Sequence, residues 1–69
     1  MQLFYGHIEA ERFYLHESEI NHCTRVLGKG EGDTIHFITG DGNLYRGAIE
    51  TVNKRSVEGS YTVEQEQWG

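Results

Sequence analysis

A few cationic side chains are the groups in this sequence best suited to bind a ligand. Arg25 and Lys29 lie four residues apart, and Lys29 stands inside a Gly-Lys-Gly segment. Guanidinium and ammonium groups bind phosphates, and arginine can do so through two parallel hydrogen bonds. We therefore predict that Arg25 and Lys29 contact phosphate, with Arg46 as a further contact. The simpler alternative for Arg25 is a favourable cation near the end of a helix.

His22 is the second kind of candidate. It lies three residues before Arg25, and side chains three positions apart on a helix project to the same surface. A partly buried structural histidine is the alternative for this residue, so both interpretations stay open.

No other group of residues has the spacing of a catalytic or metal site. Segment 28–33, Gly-Lys-Gly-Glu-Gly-Asp, lacks the phosphate-loop pattern G-x-x-x-x-G-K-[ST] and is predicted to be a structural turn. The four histidines are not spaced as zinc ligands. Cys23 falls on an apolar helix face, and Asp33 and Asp41 belong to turns, so no nucleophile has a base beside it. We expect no catalytic residue, metal or cofactor in this chain.

Aromatic side chains could also contact nucleic acid by stacking on bases. A small β-rich core needs aromatic residues as well, so both roles stay open for all of them. The candidates are Tyr5, Tyr14, Tyr45 and Trp68.

The elements that position these residues follow from hydrophobic periodicity. Alternating apolar residues predict strands, apolar residues at helical spacing predict one helix, and Gly40-Asp-Gly-Asn43 predicts a hairpin. Segment 6–11 is predicted to be a loop and 64–69 a polar tail. The predicted strands are 2–5, Arg12–Leu15, Thr34–Ile38, Leu44–Val52 and 57–63, and the helix is 17–27.

The helix prediction rests on one apolar face and on signals at both ends. Glu19 lies three residues after His16, as in a capping box, and Ser18 is an alternative cap. Gly28 is predicted to end the helix in the left-handed conformation. The apolar face consists of Ile20, Cys23, Val26 and Leu27.

The strands together predict a mostly β fold. Apolar residues on both faces of Leu44–Val52 indicate a central or curved strand, with a bend or bulge at Gly47. Closing the strands into a small barrel with the helix at one end would leave no exposed edge, which a chain this short needs.

Composition restricts the class of protein. With 69 residues the chain forms one domain, 1–69. It has one cysteine and neither a secretory signal nor a long apolar run, so we expect a cytoplasmic protein without a membrane partner. The net charge of −5 argues against nucleic-acid binding by bulk attraction. Any RNA contact must therefore come from a local patch, or from charges on a part of the protein outside this sequence.

Several short motifs occur in a characteristic order. They are Leu3-Phe4-Tyr5, His22-Cys-Thr-Arg25-Val-Leu, Glu31-Gly-Asp33, an Ile-x-Phe strand, Gly40-Asp-Gly42 and Leu44-Tyr45. Their order and spacing resemble the start of the bacterial 16S ribosomal RNA uracil-N3 methyltransferase family (RsmE). The resemblance covers nearly the whole chain.

The resemblance implies a PUA-like β-barrel that helps to bind 16S ribosomal RNA in the small ribosomal subunit. In that family a knotted SPOUT domain follows, binds S-adenosylmethionine, forms a homodimer and methylates N3 of a uridine. This chain would be the RNA-binding N-terminal domain alone, a monomer and not itself an enzyme. The resemblance adds His22 to Arg25 as an RNA-contacting residue. The family usually has Arg where this chain has Gly28, and Lys29 could supply that charge.

A second hypothesis is a protein-interaction barrel. Such a domain would dock on its own catalytic domain or on a ribosomal protein with little direct RNA contact, and the negative net charge favours it. A free-standing enzyme is the least favoured hypothesis because no catalytic set is present.

Overall fold

Five β-strands close into a barrel in the part of the chain that the structure describes, residues 3–26, 28–53 and 55–68 of the computed structural model. The strands are β1 (Leu3–Glu9), β2 (Arg12–Leu15), β3 (Thr34–Ile38), β4 (Leu44–Val52) and β5 (Val57–Gln65). Between β2 and β3 lies α1 (Glu17–Asn21), which continues as a π-helical turn, His22–Val26. The prediction of a mostly β barrel with one short helix is confirmed.

The barrel is closed by a parallel contact. Around the barrel the order is β1-β2-β5-β4-β3, with β3 returning to β1. β1 pairs antiparallel with β2 and parallel with β3, and Phe4 aligns with Phe37 in the parallel contact. Closure pairs both edges of the sheet, which protects a small β protein from association through free edges.

Aromatic rings fill the centre of the barrel. Phe37 stacks between Phe13 and Tyr45, with ring centroids 4.9 Å and 5.2 Å away. Stacked aromatic pairs of this kind stabilise a fold by roughly 0.5–1.5 kcal/mol beyond their buried area. The same buried cluster takes in the helix through Ile20 and Cys23, so the predicted core role of Cys23 is confirmed.

Strand β4 alternates buried and exposed residues from Tyr45 to Glu50, and Leu44 is buried as well. Its register with β5 shifts between Leu44 and Tyr45 and again between Ile49 and Thr51. Leu44 and Tyr45 are therefore both buried although they are adjacent. β4 pairs with β3 on one side and with β5 on the other, which confirms the prediction of a central or curved strand. The register shifts lie on either side of Gly47, so the predicted bulge at that residue is wrong.

The first hairpin differs from the predicted loop at 6–11. β1 extends to Glu9, and only Ala10 and Glu11 separate it from β2. Both residues have positive φ angles, 51° and 66°, as in the type I′ turns that match the twist of paired strands. Those turns usually carry Asn-Gly, so Ala-Glu gave no hairpin signal in the sequence.

The α-helical geometry ends at Asn21, earlier than the predicted end at residue 27. The hydroxyl of Thr24 donates to the carbonyl of Ile20 at 3.0 Å, and such bonds to the preceding turn disturb regular helices. Leu27 and the side chain of Val26 lie outside the described residues. None of the described helical segments is long and apolar enough to cross a membrane.

Gly28 ends the helical segment as predicted, with a φ of +68°. The amide of Lys29 donates to the carbonyl of Cys23 at 3.0 Å. This bond spans one residue more than the usual Schellman closure, as a wide π-helical turn requires.

Glu19 does not form the predicted capping box with His16. Its carboxylate accepts a hydrogen bond from the amide of Tyr5 at 2.9 Å, 14 positions away in the sequence. The amide of His16 donates to the carbonyl of Tyr5 at 3.0 Å. Glu19 therefore ties the start of α1 to β1, a long-range contact that a local capping rule does not anticipate.

The predicted hairpin between β3 and β4 is confirmed, and it also holds the chain after β5. Asp41 accepts hydrogen bonds from the hydroxyl of Tyr45 and from the amide of Asn43. The bond between Tyr45 and Asp41 lowers the pKa of Asp41 and raises the pKa of Tyr45.

The same hairpin also contacts the chain that follows β5. Asn43 Oδ1 accepts a hydrogen bond from the amide of Gln67 at 3.1 Å. β5 extends to Gln65, into the segment predicted to be a polar tail.

A glycine pair tests the packing of the barrel. A Cβ at Gly47 would lie 2.6 Å from Cε1 of Phe13, whereas a Cβ at Gly30 would meet nothing within 4 Å. We expect Gly47→Ala to lower the free energy of unfolding by about 1–3 kcal/mol, the usual cost of overpacking a core. Gly30→Ala is the matched control and should unfold like the parent in urea. Equal stabilities for the two variants would contradict this packing.

Candidate nucleic-acid interface

A surface groove of about 630 Å³ lies between the helical segment and the turn that joins β4 to β5. Its lining includes one basic and one acidic side chain together with neutral polar groups. The lining residues are Glu17, Ile20, Asn21, Thr24, Arg25 and Asn53. We call this feature the helix groove.

The topology explains why the helix and this turn are neighbours. β2 and β4 both run toward the same end of the barrel because each is antiparallel to β5. The helix begins directly after β2, and the turn at 53–56 begins directly after β4. Both segments therefore emerge at one end, where they form the two sides of the helix groove.

Asn53 organises its side of the groove. Its Oδ1 accepts hydrogen bonds from the amides of Arg55 and Ser56, both at 2.9 Å. Its own amide donates to the carbonyl of Ser56 at 2.9 Å. The turn is thus held by its own side chain, and it presents Arg55 as an exposed cation two residues from the groove. Lys54 lies outside the described residues.

Arg25 is the basic member of the helix groove. Its side chain is exposed, and none of the ion pairs found among residues 3–26, 28–53 and 55–68 includes it. An exposed guanidinium can bind phosphate through two hydrogen bonds, and Glu17 places one negative charge in the same groove. Asn21 and Asn53 supply amide groups that can bind sugar or phosphate oxygens alongside it.

Lys29 follows the helical segment and belongs to the loop that leads into β3. Burial raises the pKa of the Cys23 thiol, and the positive charge of Lys29 acts against that rise. Lys29 therefore lies close enough to the end of the helical segment to affect its electrostatics. Lys29 is not among the residues that line the helix groove, so a phosphate contact shared by Lys29 and Arg25 stays a prediction.

The loop at 28–33 is a structural turn and not a phosphate cradle. The amide of Gly30 donates to the carboxylate of Asp33 at 2.8 Å, and the amide of Asp33 donates to the carbonyl of Gly30 at 3.0 Å. The amide of Gly32 donates to the carbonyl of Ile49 at 3.0 Å. These amides are used within the fold, so a phosphate in this region depends on side chains.

Arg46 lies apart from the helix groove. It lines a separate pocket of about 180 Å³ on the outer face of β3, β4 and β5, with Thr34, Ala48, Ser60, Tyr61 and Thr62. Its Nε lies 3.7 Å from a carboxylate oxygen of Glu64. The two pockets share no lining residue, so the structure does not join Arg46 to Arg25 in one site.

Arg12 is committed to ion pairs. Its guanidinium lies 3.1 Å from a carboxylate oxygen of Glu50 and 3.4 Å from one of Glu58. The hydrogen bond with Glu50 raises the pKa of Arg12 and lowers the pKa of Glu50. Arg12 therefore serves to hold β2 against β4 and β5.

The remaining candidates separate according to exposure. Tyr45 is 5% exposed and belongs to the core, so its predicted alternative as a stacking residue is wrong. Tyr5 is 55% exposed, while Tyr14 and Trp68 are partly buried. The side chain of His22 lies outside the described residues. Among the residues that the structure does describe, no cluster of three or more histidine, cysteine or acidic side chains could hold a metal.

Asn53 and Arg55 are the site residues that sequence reasoning missed. The segment Asn53-Lys-Arg55-Ser follows a predicted strand and contains two cations. Its place beside the helix depends on the direction of β4 relative to β2, which no local pattern in the sequence contains. Only a strand order in which β2 and β4 end at the same side of the barrel places this turn beside the helix.

Comparison with known proteins relates this chain to RNA methyltransferases. A profile of the RNA methyltransferase PUA domain matches residues 15–60. A predicted RNA methyltransferase from Thermotoga maritima is 28% identical with a TM-score of 0.82, and the alignment covers 97% of this chain and 32% of that one. A probable rRNA methyltransferase from Porphyromonas gingivalis is 33% identical with a TM-score of 0.74, and the alignment covers 100% and 29%.

A third solved structure shares the fold. It is a putative methyltransferase from Legionella pneumophila in complex with bound S-adenosylmethionine, 21% identical with a TM-score of 0.67 and alignment coverages of 91% and 26%. The chain thus spans only about a third or less of each of these three proteins. A search of curated proteins found no match.

A substitution pair tests how Asn53 shapes the groove. Asn53→Ala removes the oxygen that accepts from two amides, so we expect the free energy of unfolding to fall by about 1 kcal/mol. Asn53→Asp keeps an acceptor in the same place and should unfold in urea like the parent. If the alanine and aspartate variants are equally stable, the side chain does not hold the turn.

Proposed function

The chain belongs to the family of RNA methyltransferase PUA domains, and on that basis we propose that it positions RNA for a catalytic domain elsewhere in the same protein. The observation that carries the proposal is the helix groove with the exposed Arg25, which forms no ion pair within the part of the chain that the structure describes. Phosphate contacts fix the register and orientation of a nucleic acid without reading its bases. A second domain would then read and modify the base.

The finer proposal concerns the substrate and the neighbouring domain. The resemblance of the sequence to the 16S ribosomal RNA uracil-N3 methyltransferases supports a uridine of 16S RNA as the target and a C-terminal SPOUT domain as the neighbour. S-adenosylmethionine, which the Legionella pneumophila relative binds, would be the methyl donor for the whole protein. The whole protein would be a homodimer, and the domain alone a monomer.

The proposed RNA contacts fall into two groups. Arg25 and Lys29, with His22 on the same helical segment, would hold phosphates at the helix groove. Arg46 would be a separate contact on the outer face of the sheet, and it would have to exchange its pairing with Glu64 for a phosphate. Because the net charge is −5, the domain alone should bind RNA weakly and with strong dependence on salt.

A double substitution tests the phosphate contacts. Each phosphate contact contributes about 0.7–0.9 to the slope of log affinity against log salt concentration. We expect Arg25→Ala with Lys29→Ala to weaken binding to a small-subunit RNA fragment and to make this slope shallower by about 1.4–1.8. Fluorescence anisotropy across a salt series measures both quantities.

The variant with Arg25→Ala and Lys29→Ala needs a control that also removes positive charge from the surface. Arg12→Gln removes a cation that is already paired with Glu50 and Glu58, so the salt slope should stay within error of the parent. A double variant that binds with the parent's affinity and slope would exclude Arg25 and Lys29 as phosphate contacts.

Gly28 offers a gain-of-function test. Arg stands at this position in the resembling family, and here the glycine has a φ of +68° with nothing within 4 Å of a Cβ. We expect Gly28→Arg to steepen the salt slope by about 0.7–0.9. Its left-handed backbone should cost about 1–2 kcal/mol of stability.

Gly28→Ala is the control for that test, because it carries the same backbone strain without the charge. It should lose similar stability and bind RNA like the parent. Equal RNA affinity for the arginine and alanine variants would show that no phosphate lies near position 28.

The substrate is tested in cells. Deleting the gene that encodes this chain should remove one N3-methyluridine from small-subunit RNA, and mass spectrometry of RNA fragments detects that loss. An unchanged level of N3-methyluridine would contradict the proposed substrate. The RNA contacts of the domain would still be tested by the binding assays above.

A second candidate function is a protein-interaction barrel. The pairing of Arg12 and Arg46 with glutamates favours it, because these pairs reduce the positive charge available to RNA. This candidate predicts no measurable affinity of the domain for RNA at low salt, and the binding assays above therefore separate the two functions.

A further inference from the structure

The outer face of the first hairpin carries four rings that the core does not use. β1 and β2 direct alternate side chains inward, including Phe4 and Leu15, which are buried. The residues between them point outward and are exposed or partly buried. Three of these residues carry rings, and together with His16, the exposed residue that follows β2, they form what we call the hairpin ring face: Tyr5, His7, Tyr14 and His16.

The rings of this face are arranged for stacking. His7 lies opposite Tyr14 in the strand register, and their rings are 5.2 Å apart with planes inclined by 17°. His16 lies 6.2 Å from His7 with an inclination of 33°. Tyr5, at the edge of the group, is 55% exposed. Tyr5 and His7 alternate with buried residues on β1, so Tyr5 adds an exposed ring to the same face as the stacked pair of His7 and Tyr14.

The backbone beneath the rings is held in place. The amide of Tyr5 donates to the carboxylate of Glu19 and its carbonyl accepts from the amide of His16. Tyr5 also aligns with Ile38 of β3 in the contact that closes the barrel. The backbone of Tyr5 is therefore held from both sides, which fixes the point from which its exposed ring projects.

We propose that the hairpin ring face stacks the bases of a single-stranded RNA segment whose phosphates occupy the helix groove. The inference rests on the proposed function and names its substrate class. Aromatic rings in adjacent strands stack unpaired bases. The face carries the carboxylate of Glu9, 4.0 Å from His7 Nε2, and this charge disfavours phosphates there but not neutral bases.

The hairpin ring face and the helix groove adjoin in the sequence at the start of the helical segment. His16 ends the ring face, and the next residue, Glu17, lines the helix groove. His16 and Arg25 are nine positions apart, which corresponds to at most about 14 Å along the helical segment at the 1.5 Å rise of an α-helix. One short RNA strand can span this distance, so phosphate and base contacts can act on the same segment.

The test compares single-stranded with double-stranded RNA. The probes are a 12-nucleotide single strand with a central 2-aminopurine and a hairpin duplex that contains the same sequence. We expect Tyr5→Ala with His7→Ala to weaken binding of the single strand about fivefold or more, the effect of losing one base stack. Binding of the duplex, whose bases are already stacked, should not change.

Two controls separate stacking from general damage to the surface. Tyr5→Phe keeps the ring and should retain the parent's affinity and the quenching of 2-aminopurine. Val63→Ala removes another exposed apolar side chain, 47% exposed on β5, and should have no effect. Thermal unfolding followed by circular dichroism should show that the exposed substitutions leave the fold intact.

The outcomes distinguish this inference from the proposed function. If Arg25→Ala with Lys29→Ala weakens binding but Tyr5→Ala with His7→Ala does not, the hairpin ring face is not a base-stacking surface, and the RNA-positioning function stands. If the parent binds neither probe at low salt, both are wrong. Equal loss of single-strand and duplex binding in the ring variants would also contradict stacking on unpaired bases.

Discussion

The parallel pairing of β1 with β3 is the contact on which the rest of this structure depends. It involves three aligned pairs, Leu3 with His36, Phe4 with Phe37 and Tyr5 with Ile38. Through them the first strand of the chain closes the barrel around the stacked rings of Phe13, Phe37 and Tyr45. Without closure, the first hairpin would lose its support on one side, and the helix would lose the strand to which Glu19 ties it.

Local geometry matters more than net charge for the function proposed here. The chain has 11 acidic and 6 basic side chains, so attraction over long distances does not favour a polyanion. Two of the arginines are paired with glutamates and support the sheet. Arg25 lies at the end of the helical segment, in a groove that the direction of the strands creates. RNA recognition by such a domain therefore depends on a few well-placed groups.

Much of the fold could be predicted from the sequence because its signals are local. Alternation of apolar residues indicated strands β2 to β5, and helical spacing with Gly28 indicated the helix and its end. The Ala10-Glu11 turn could not be predicted, since its positive φ angles are imposed by the pairing of β1 with β2. The same holds for the π-helical turn, which reflects the bond of Thr24 to Ile20 and the closure by Lys29.

The candidate site was only partly predictable for a related reason. Arg25 and Lys29 are close in sequence, so their proximity follows from a local element. Arg46 lies on β4, and Asn53 lies on the turn after β4. Only the order of strands around the barrel decides which of these two residues lies beside the helix. That order places Asn53 in the groove and Arg46 in a different pocket.

The most direct test of the account is to map the RNA-binding surface by NMR. Amide chemical shifts of the uniformly labelled domain would be followed during titration with a single-stranded small-subunit RNA fragment at low salt. We expect the chemical-shift changes to concentrate on residues 16–29, on Asn53 and Arg55, and on Tyr5 and His7. Changes confined to the opposite end of the barrel, around Asp41 and Gln67, or an absence of changes at millimolar RNA, would contradict it.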